Sequence, residues 1–350
     1  MVRQETQHHL TIFERSRMGP PDSASPCRML IIHRGALGDF LLALPAIQGL
    51  QRLSPGSTLD FLARTEYVSL IRNHPYVGRV YSSDSADLAP FHHEALWRTA
   101  QPPPLFTDIS VTFVFGRAQS RAVAARLSLR LACPVHFVES FPGPDAGTHV
   151  TRHIREQLIA LGRSVDDRPA RIDPAPDESP PPAPWELKGG PAAGRRPVII
   201  HMGSGGRRKI WPLSRWKDLV EWINAKYAHP KVLVLGPAEE YLREFVFSLV
   251  KPGIHVLENP PLARLSVVLS RCAVYVGNDS GISHLAAVSG APSVVVFGPT
   301  DPHVWGPVGE SVHIVRDHWD ETRNLEWSCD GGAVALNEVK QAVGKLIEKG

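Results

Sequence analysis

Short apolar runs alternate with helical patterns of apolar residues along most of this 350-residue chain. Residues 29–33 form the first run, a glycine-containing segment follows, and apolar residues then recur at the spacing of one helical face between Leu41 and Leu53. A strand, a glycine loop and a helix form the opening unit of an α/β domain. Pro45 lies within the helical pattern and predicts either a place in the first turn or a kink.

The same alternation predicts further strands and helices in both halves of the chain. Predicted strands cover residues 58–63, 77–81 and 111–115 in the first half, and 198–201, 232–235, 274–277 and 293–297 in the second. Predicted helices cover residues 216–226, 239–250, 283–289 and 337–349. Residues 82–104 show little periodicity and are predicted to be rich in loops. Strands that alternate with helices indicate parallel sheets.

A proline-rich segment divides the two halves. No helix or central strand tolerates the prolines of residues 174–197, which therefore form the predicted linker. The linker separates an N-terminal Rossmann-like domain at 28–173 from a C-terminal one at 198–330. Residues 1–27 are predicted to be a flexible leader, and residues 331–350 a final helix. Two such domains place a ligand cleft between the carboxyl ends of both sheets.

Composition and charge narrow the class of protein. A net charge of +3 argues against a nucleic-acid binder held by general electrostatics. The four cysteines have no CxxC spacing, which suits a reducing compartment and neither a disulfide framework nor a zinc site. The first 26 residues lack the apolar run of a signal peptide, and no stretch approaches the ~18 apolar residues of a membrane span. The sequence therefore predicts a cytoplasmic protein, for which attachment to a membrane surface stays open.

The most informative motif is GNDSGISH at residues 277–284, which follows a predicted strand and opens a helix. Asp279 or Ser280 can cap this helix, and Gly281 lets a ligand approach the backbone closely. Free amides and the positive end of the helix dipole then favour a phosphate group. The alternative is a plain capped helix in which His284 is only packed or solvated.

A second motif, HMGSGGRRKIWP at residues 201–212, brings three glycines, Ser204 and three consecutive cations to the end of a strand. It has neither the Gly-Lys-Ser/Thr of a Walker loop nor the GxGxxG of a dinucleotide fold. Backbone amides and Lys209 can still clamp a pyrophosphate, whereas a solvated basic loop is the plainer interpretation.

Acidic residues near two helix starts complete the candidates. Asp39 follows Gly35 and Gly38. It is either a first-turn acid that favours the helix dipole or a base that takes a proton from an acceptor hydroxyl. Glu239 and Glu240 follow another predicted strand. They are either the acidic first turn of a helix or acceptors of hydrogen bonds from a ribose or base.

Together, these motifs resemble glycosyltransferase family 9, which includes ADP-heptose:lipopolysaccharide heptosyltransferases. RGALGD at residues 34–39, with Pro45, resembles the N-terminal signature of the family, and KIWP at residues 209–212 resembles its central basic loop. NDSGISHLAA at residues 278–287, followed by FGPTDP at residues 297–302, resembles its C-terminal signature. The resemblance covers nearly the whole chain after the leader.

The resemblance implies an α/β fold of GT-B architecture, in which two Rossmann-like parallel-sheet domains face a central cleft and the final helix packs back on the N-terminal domain. It also implies that Asp39 is the catalytic base and that Lys209 stabilises the charge that develops on the donor phosphates. The implied donor-binding residues are Ser204, Gly205, Lys209, Glu239, Glu240, Asp279, Ser280, Gly281, Ile282, His284 and Thr300. The implied acceptor-side residues are Arg34, Gly35 and Gly38.

The activity that the resemblance implies is sugar transfer with inversion, without a metal or another cofactor. The expected partners are a nucleotide sugar such as ADP-heptose and a glycolipid or other glycan acceptor such as lipopolysaccharide core, with no nucleic acid. Peripheral contact with the cytoplasmic face of the inner membrane is a further expectation. Residues 82–104 and the segment after Arg316 depart from the family pattern, and acceptor-binding residues are expected in the former. A sugar-nucleotide epimerase of GT-B type and a catalytically silent nucleotide-sugar-binding protein stay open as alternatives.

Overall fold

The structure is a computed structural model that describes residues 27–143, 147–172, 194–319 and 333–349. The strands are β1 (Arg28–His33), β2 (Thr58–Ala63), β3 (Val77–Ser82), β4 (Val111–Gly116), β5 (Val135–Glu139), β6 (Val198–His201), β7 (Lys231–Leu235), β8 (Ile254–Glu258), β9 (Val274–Asn278), β10 (Ser293–Phe297) and β11 (Val312–Arg316). The α-helices are α1 (Leu37–Leu53), α2 (Thr65–Val68), α3 (Ala89–His92), α4 (Ser120–Ser128), α5 (Val150–Ala160), α6 (Leu213–Lys226), α7 (Arg243–Ser248), α8 (Leu262–Ser270), α9 (Gly281–Val288), α10 (Pro302–Trp305) and α11 (Ala333–Lys349). Short 3-10 helices cover Ser69–Ile71, Ala86–Leu88, Pro104–Phe106, Arg207–Lys209 and Pro237–Leu242.

The first half of the chain folds around a five-stranded parallel sheet with the strand order β3-β2-β1-β4-β5. Its three inner strands are almost wholly buried because apolar clusters cover both faces of the sheet. Burial on both faces is the reason why these strands are mostly apolar. The buried acid of β2, Asp60, is paired with Arg28 of β1. Since β1 is the central strand, the segment after His33 leaves the sheet in the middle of its carboxyl edge.

The second half folds around a six-stranded parallel sheet with the order β11-β10-β9-β6-β7-β8. The chain builds one side of this sheet from β6 outward and the other side from β9 outward. The direction of strand order therefore reverses between β6 and β9, and ligands bind at such a crevice in open α/β sheets. Two parallel-sheet α/β units confirm the predicted fold class.

Helix α1 runs through Pro45, which lies inside the helix and not in its first turn. The first-turn position is therefore wrong as an explanation of this proline. Leu44, Ala46 and Ile47 around it are fully or almost fully buried. Tertiary packing thus holds the helix together at the point where the proline removes a backbone donor.

The final helix, α11, packs against the second sheet, which corrects the expectation that it would return to the first domain. Its apolar face, which includes Val339 and Val343, belongs to the same buried cluster as Val294 and Val296 of β10. The helix also contacts α6 of the second domain. This apolar face is long enough to cover the sheet beside it, and burial there removes the face from water.

Three strands and several helix boundaries differ from the sequence prediction. Strands β5, β8 and β11 were not predicted, and each forms an edge of its sheet. The predicted helix at 239–250 is divided, because Glu239 has non-helical dihedral angles and a 3-10 helix precedes α7. Residues 82–104 contain only short helical turns, as the weak periodicity predicted.

Most of the predicted leader at 1–27 and of the predicted linker at 174–197 lies outside the described residues, so these boundaries stay predictions. The two domains contact each other through α1 and α9. In the described part of the chain, no helix has the length and apolar character needed to cross a bilayer.

Candidate active site

Two side chains converge on one carboxylate oxygen at the carboxyl edge of the second sheet. Strand β9 ends at Asn278, and the next residue, Asp279, is buried. The Asp279 Oδ2 atom accepts hydrogen bonds from the Lys209 ammonium at 2.8 Å and from the Thr300 hydroxyl at 2.5 Å. Lys209 follows β6 and Thr300 follows β10, so three adjacent strand ends build this cluster. One carboxylate thus orients a cation and a hydroxyl at the mouth of the crevice.

Helix α9 begins directly beside this cluster. Ser280 is its N-cap, and the Ser280 hydroxyl accepts a hydrogen bond from the Ser283 amide at 3.3 Å. This confirms one of the two caps that the sequence allowed. The amides of Gly281 and Ile282 in the first turn have no acceptor within the helix. They add the positive end of the helix dipole to the charge of Lys209, so this edge suits a phosphate group.

Asn278, which the sequence analysis did not assign to the site, holds the basic loop against the start of α9. Its side-chain amide donates to the Met202 carbonyl at 2.6 Å, and its side-chain oxygen accepts from the Trp211 amide at 3.1 Å. The side chain is completely buried, so both bonds form away from water. An amide side chain at the end of a buried strand is the signal that could have identified it.

Ser204 was predicted to hold the donor, but its hydroxyl makes a hydrogen bond within the protein instead. This hydroxyl donates to the Asp279 carbonyl at 2.7 Å and is buried. The neighbouring Gly205 is exposed, and a Cβ atom there would meet nothing within 4 Å. A ligand at this loop therefore meets the Gly205 backbone more readily than the Ser204 side chain.

The two acids that follow β7 have different surroundings. Glu239 is buried, accepts a hydrogen bond from the Gly236 amide at 2.8 Å, and lies 3.8 Å from the Nε2 atom of His201. Burial raises the pKa of Glu239, but the His201 ring and the Gly236 amide outweigh it and bring the pKa below its usual value. Glu240 is exposed. Glu239 thus orders the loop, whereas Glu240 presents its carboxylate to solvent.

Asp39 lies in the first turn of α1, in the other domain. Its Oδ2 atom accepts a hydrogen bond from the Ala36 amide at 3.1 Å, so it does stabilise the helix start. Burial raises the pKa of Asp39, while the Ala36 amide and the positive charges of Arg117 and Lys209 oppose this rise. A partly desolvated carboxylate of this kind can accept a proton. The two roles that the sequence left open are therefore compatible.

The starts of α1 and α9 meet with no room for side chains. A Cβ atom on Gly281 would lie 3.0 Å from the Leu37 Cβ and 3.2 Å from the Gly38 nitrogen. A Cβ atom on Gly38 would lie 3.2 Å from the His284 ring. Burial lowers the pKa of His284 to about 4, so this ring is neutral at pH 7. The close approach brings Asp39 to the donor side of the crevice.

The predicted acceptor-side residues surround Asp39. A Cβ atom on Gly35 would lie 2.9 Å from the Asp39 Oδ2 atom, so a larger residue there would displace this carboxylate. Arg34 is exposed, and its Nη1 atom lies 2.7 Å from the His92 Nε2 atom. The structure thus brings Arg34, Gly35, Gly38 and Asp39 together in one segment beside α3.

Sequence reasoning missed the residues that connect the two domains beside the crevice. The Arg117 guanidinium carbon lies 3.9 Å from the Phe141 ring centroid, which is 5.4 Å from the ring centroid of Trp305 in the second domain. The Nε2 atom of His149 donates to the Gly306 carbonyl at 2.9 Å. Arg117 directly follows β4, so its position at a strand end was a usable signal. No sequence signal indicated the contact between Phe141 and Trp305, because this contact depends on how the two domains are arranged.

Groups of three or more His, Cys, Asp or Glu side chains that could hold a metal ion do not occur among the described residues. The donor half instead offers positive charge from Lys209 and from helix amides. Metal independence stays a prediction.

Comparison with known proteins supports the resemblance in sequence. The family model described as glycosyltransferase family 9 (heptosyltransferase) matches residues 165–334. Lipopolysaccharide heptosyltransferase 1 of Pseudomonas aeruginosa is 26% identical over 322 residues, which cover 83% of this chain and 84% of that protein.

Solved structures share the fold. The glycosyltransferase family 9 structure from Veillonella parvula has a TM-score of 0.69 at 14% identity and covers 94% of this chain and 100% of its own. The E. coli heptosyltransferase WaaC with ADP has a TM-score of 0.62 at 22% identity and covers 91% of this chain and 100% of its own. Since the family model, the similarity over most of both chains and the shared GT-B fold agree, the chain is a glycosyltransferase that is similar to glycosyltransferase family 9.

Proposed function

We propose that this glycosyltransferase transfers heptose from ADP-heptose to a lipopolysaccharide core acceptor, with inversion at the anomeric carbon. The similarity to lipopolysaccharide heptosyltransferase 1 and to the WaaC structure that contains ADP supports this choice of donor and acceptor. The proposed site at the crevice has positive charge on the donor side and a partly desolvated carboxylate on the opposite side.

The donor half is proposed to hold the diphosphate between Lys209 and the first turn of α9. The Gly281 and Ile282 amides supply donors, while Asp279, to which the Thr300 hydroxyl also donates, fixes the position of the Lys209 ammonium. Negative charge grows on the phosphate oxygens as ADP leaves, and fixed donors aimed at that charge lower the barrier. The exposed Glu240 is then available to the ribose or base of the nucleoside.

Asp39 is proposed to act as the base in a single displacement. The acceptor hydroxyl oxygen attacks the anomeric carbon as the bond from that carbon to the ADP oxygen breaks. The hydroxyl proton passes to the Asp39 carboxylate, and ADP leaves with the bonding electron pair. Neither a metal nor another cofactor takes part in this step. The observation that carries the proposal is the helix contact at Gly38 and Gly281, which brings Asp39 within the electrostatic reach of Lys209.

The acceptor and the location follow from the same proposal. A glycolipid acceptor is presented at a membrane surface, so we propose peripheral association with the cytoplasmic face of the inner membrane. Arg34, Gly35 and Gly38 form the acceptor side because they surround Asp39.

The test is an assay with ADP-heptose and a deacylated, heptose-free lipopolysaccharide core, followed by mass spectrometry of the acceptor. We expect the acceptor to gain one heptose, with the inverted anomeric configuration by NMR, in the presence of a chelator. Conversion of the donor without an acceptor would instead identify a sugar-nucleotide epimerase. Donor binding without either reaction would identify a catalytically silent nucleotide-sugar-binding protein.

A further inference from the structure

The first domain carries exposed apolar side chains that the crevice does not use. Leu96 is 52% exposed and Leu129 is 66% exposed. The Arg130 guanidinium donates to the Ala100 carbonyl at 2.9 Å, which holds the segment after α3 beside the end of α4. Trp97, in the segment after α3, is partly buried against the apolar cluster below it. We call the surface formed by Leu96, Trp97, Arg98, Leu129 and Arg130 the basic apolar tip.

The charge around the basic apolar tip is positive. Residues 122–131 contain two arginines and no acidic residue, and residues 91–100 contain one acid, Glu94. Arg98 is exposed, and its guanidinium carbon lies 5.5 Å from the Trp97 ring centroid. Exposed leucines, an amphipathic indole and surrounding arginines are the composition of a surface that binds at the boundary between lipid headgroups and acyl chains.

A continuous series of contacts connects this surface with the acceptor side. Arg34, five residues before Asp39 in the chain, lies 2.7 Å from His92 at the end of α3. The Arg126 guanidinium of α4 donates to the Phe91 carbonyl of α3 at 3.0 Å. Helix α4 then ends beside Leu129. The tip and the acceptor side therefore share one framework, built from α3 and α4.

We infer that the basic apolar tip docks on the surface of an anionic lipid bilayer and holds the acceptor side of the crevice at that surface. The inference rests on the proposed function, since a glycolipid acceptor is reached from the membrane. The two leucines enter the headgroup boundary, and the arginines interact with lipid phosphates. A second copy of the chain fits less well, because a symmetric contact would bring the arginines of both copies together.

The test uses the whole chain and vesicles of phosphatidylcholine with phosphatidylglycerol, without any glycolipid. We expect the protein to sediment with these vesicles, to bind pure phosphatidylcholine vesicles weakly, and to dissociate as salt screens the charges. The double variant Leu96→Ser/Leu129→Ser should lose roughly tenfold or more in vesicle affinity, because it removes the inserted apolar area. Arg98→Glu should weaken binding to the anionic vesicles only.

Phe247→Ser is the matched control. Phe247 is a 40% exposed side chain on the second domain, and the Arg243 guanidinium carbon lies 4.6 Å from its ring centroid. Because Phe247 combines an exposed apolar group with an arginine away from the tip, Phe247→Ser should bind vesicles as the parent does. Thermal unfolding of all variants shows that they are folded.

Three results would overturn the inference. These are failure of the parent to bind anionic vesicles, equal binding by the double variant and the parent, and a change in oligomeric state as the only effect of the double substitution. Transfer to the deacylated acceptor, which needs no membrane, should be equal in the parent and in Leu129→Ser, because Leu129 lies outside the segment 82–104 in which acceptor-binding residues are expected. If neither protein transfers heptose but the vesicle results are as expected, the proposed donor and acceptor are wrong, and the basic apolar tip is still supported as a docking surface.

Discussion

The side chains at strand ends determine how far the chemistry of this site could be predicted. Lys209 and Thr300 were predicted separately, and both bind the same oxygen of Asp279 because parallel strands bring their carboxyl ends to one edge. Asn278 and Arg117 follow the same rule but were not assigned to the site. The Phe141 and Trp305 contact could not be predicted, because it forms only when the two domains are placed beside each other.

Replacement of Lys209 by alanine should weaken ADP binding roughly ten- to hundredfold, since charge-assisted hydrogen bonds contribute ~1.5–3 kcal/mol. Adenosine binding should change little, because it lacks the diphosphate. Isothermal titration calorimetry measures both affinities. Lys217→Ala is the control, since Lys217 pairs with Glu221 on α6 and not with Asp279. Equal affinity of Lys209→Ala and the parent for ADP would show that the basic run is only a solvated loop.

Asp39→Asn should leave a folded protein with nearly normal ADP-sugar affinity and a transfer rate lower by ~10²–10⁴-fold. Asparagine stabilises a helix start about as well as aspartate does but cannot take up the proton. The parent rate should rise with pH through the pKa of Asp39, which burial raises, because the base acts only when deprotonated. The transfer rate of the variant should not show this rise with pH. A parental rate in Asp39→Asn would refute the assignment of the base.

Among the secondary-structure elements, burial separates most of the strands that were predicted from those that were not; the exception is β3, a partly buried edge strand that was predicted. Strands β6, β9 and β10 are wholly buried and therefore form continuous apolar runs. Strands β5, β8 and β11 lie at sheet edges and are only partly buried, so their polar and apolar residues form no such run. Helix α11 was predicted from its apolar spacing, but spacing does not show which sheet a helix will cover.

The contact between the starts of α1 and α9 predicts that Gly281→Ala lowers the transfer rate. The added methyl group meets the Leu37 Cβ and the Gly38 backbone at 3.0–3.2 Å, so the helices must separate by a few tenths of an ångström. Misplacement of reacting groups by about 1 Å costs up to ~10²-fold, so we expect a loss of roughly tenfold. Steady-state kinetics and ADP titration measure it.

Gly143→Ala is the matched control, because a Cβ atom there would meet nothing within 4 Å. Alanine also favours a helix more than glycine does, so Gly281→Ala should not unfold α9. An unchanged rate in Gly281→Ala would mean that this contact does not set the distance between Asp39 and the donor.

The stability of the whole molecule should depend on two buried histidines, one in each domain. Burial lowers the pKa of His33 and of His284 from 6.5 to about 4. Between these values the unfolded chain binds more protons than the folded one. The free energy of unfolding therefore falls as the pH falls from 6.5 towards 4, by up to about 1.4 kcal/mol per pH unit for each histidine. Below pH 4 these two histidines cause no further change in the free energy of unfolding.

Urea unfolding at pH 7 and pH 5 measures this loss. His284→Asn should reduce the dependence of unfolding free energy on pH by about the contribution of one proton. His303→Asn, which replaces an exposed histidine, is the control and should keep the parental dependence. The same slope in all three proteins would contradict burial of a neutral ring at His284.

The order of the two sheets along the chain also bears on how such enzymes diversify. In the described residues, every strand of the first sheet precedes every strand of the second, and α11 covers the second sheet. One genetic crossover between the codons for β5 and β6 would therefore exchange the complete donor half and leave Asp39 behind. Recombined halves would fit best where glycine meets glycine, because a side chain at Gly38 or Gly281 would push the two helix starts apart. The contact between the two helix starts thus limits which N-terminal and C-terminal halves fit together after recombination.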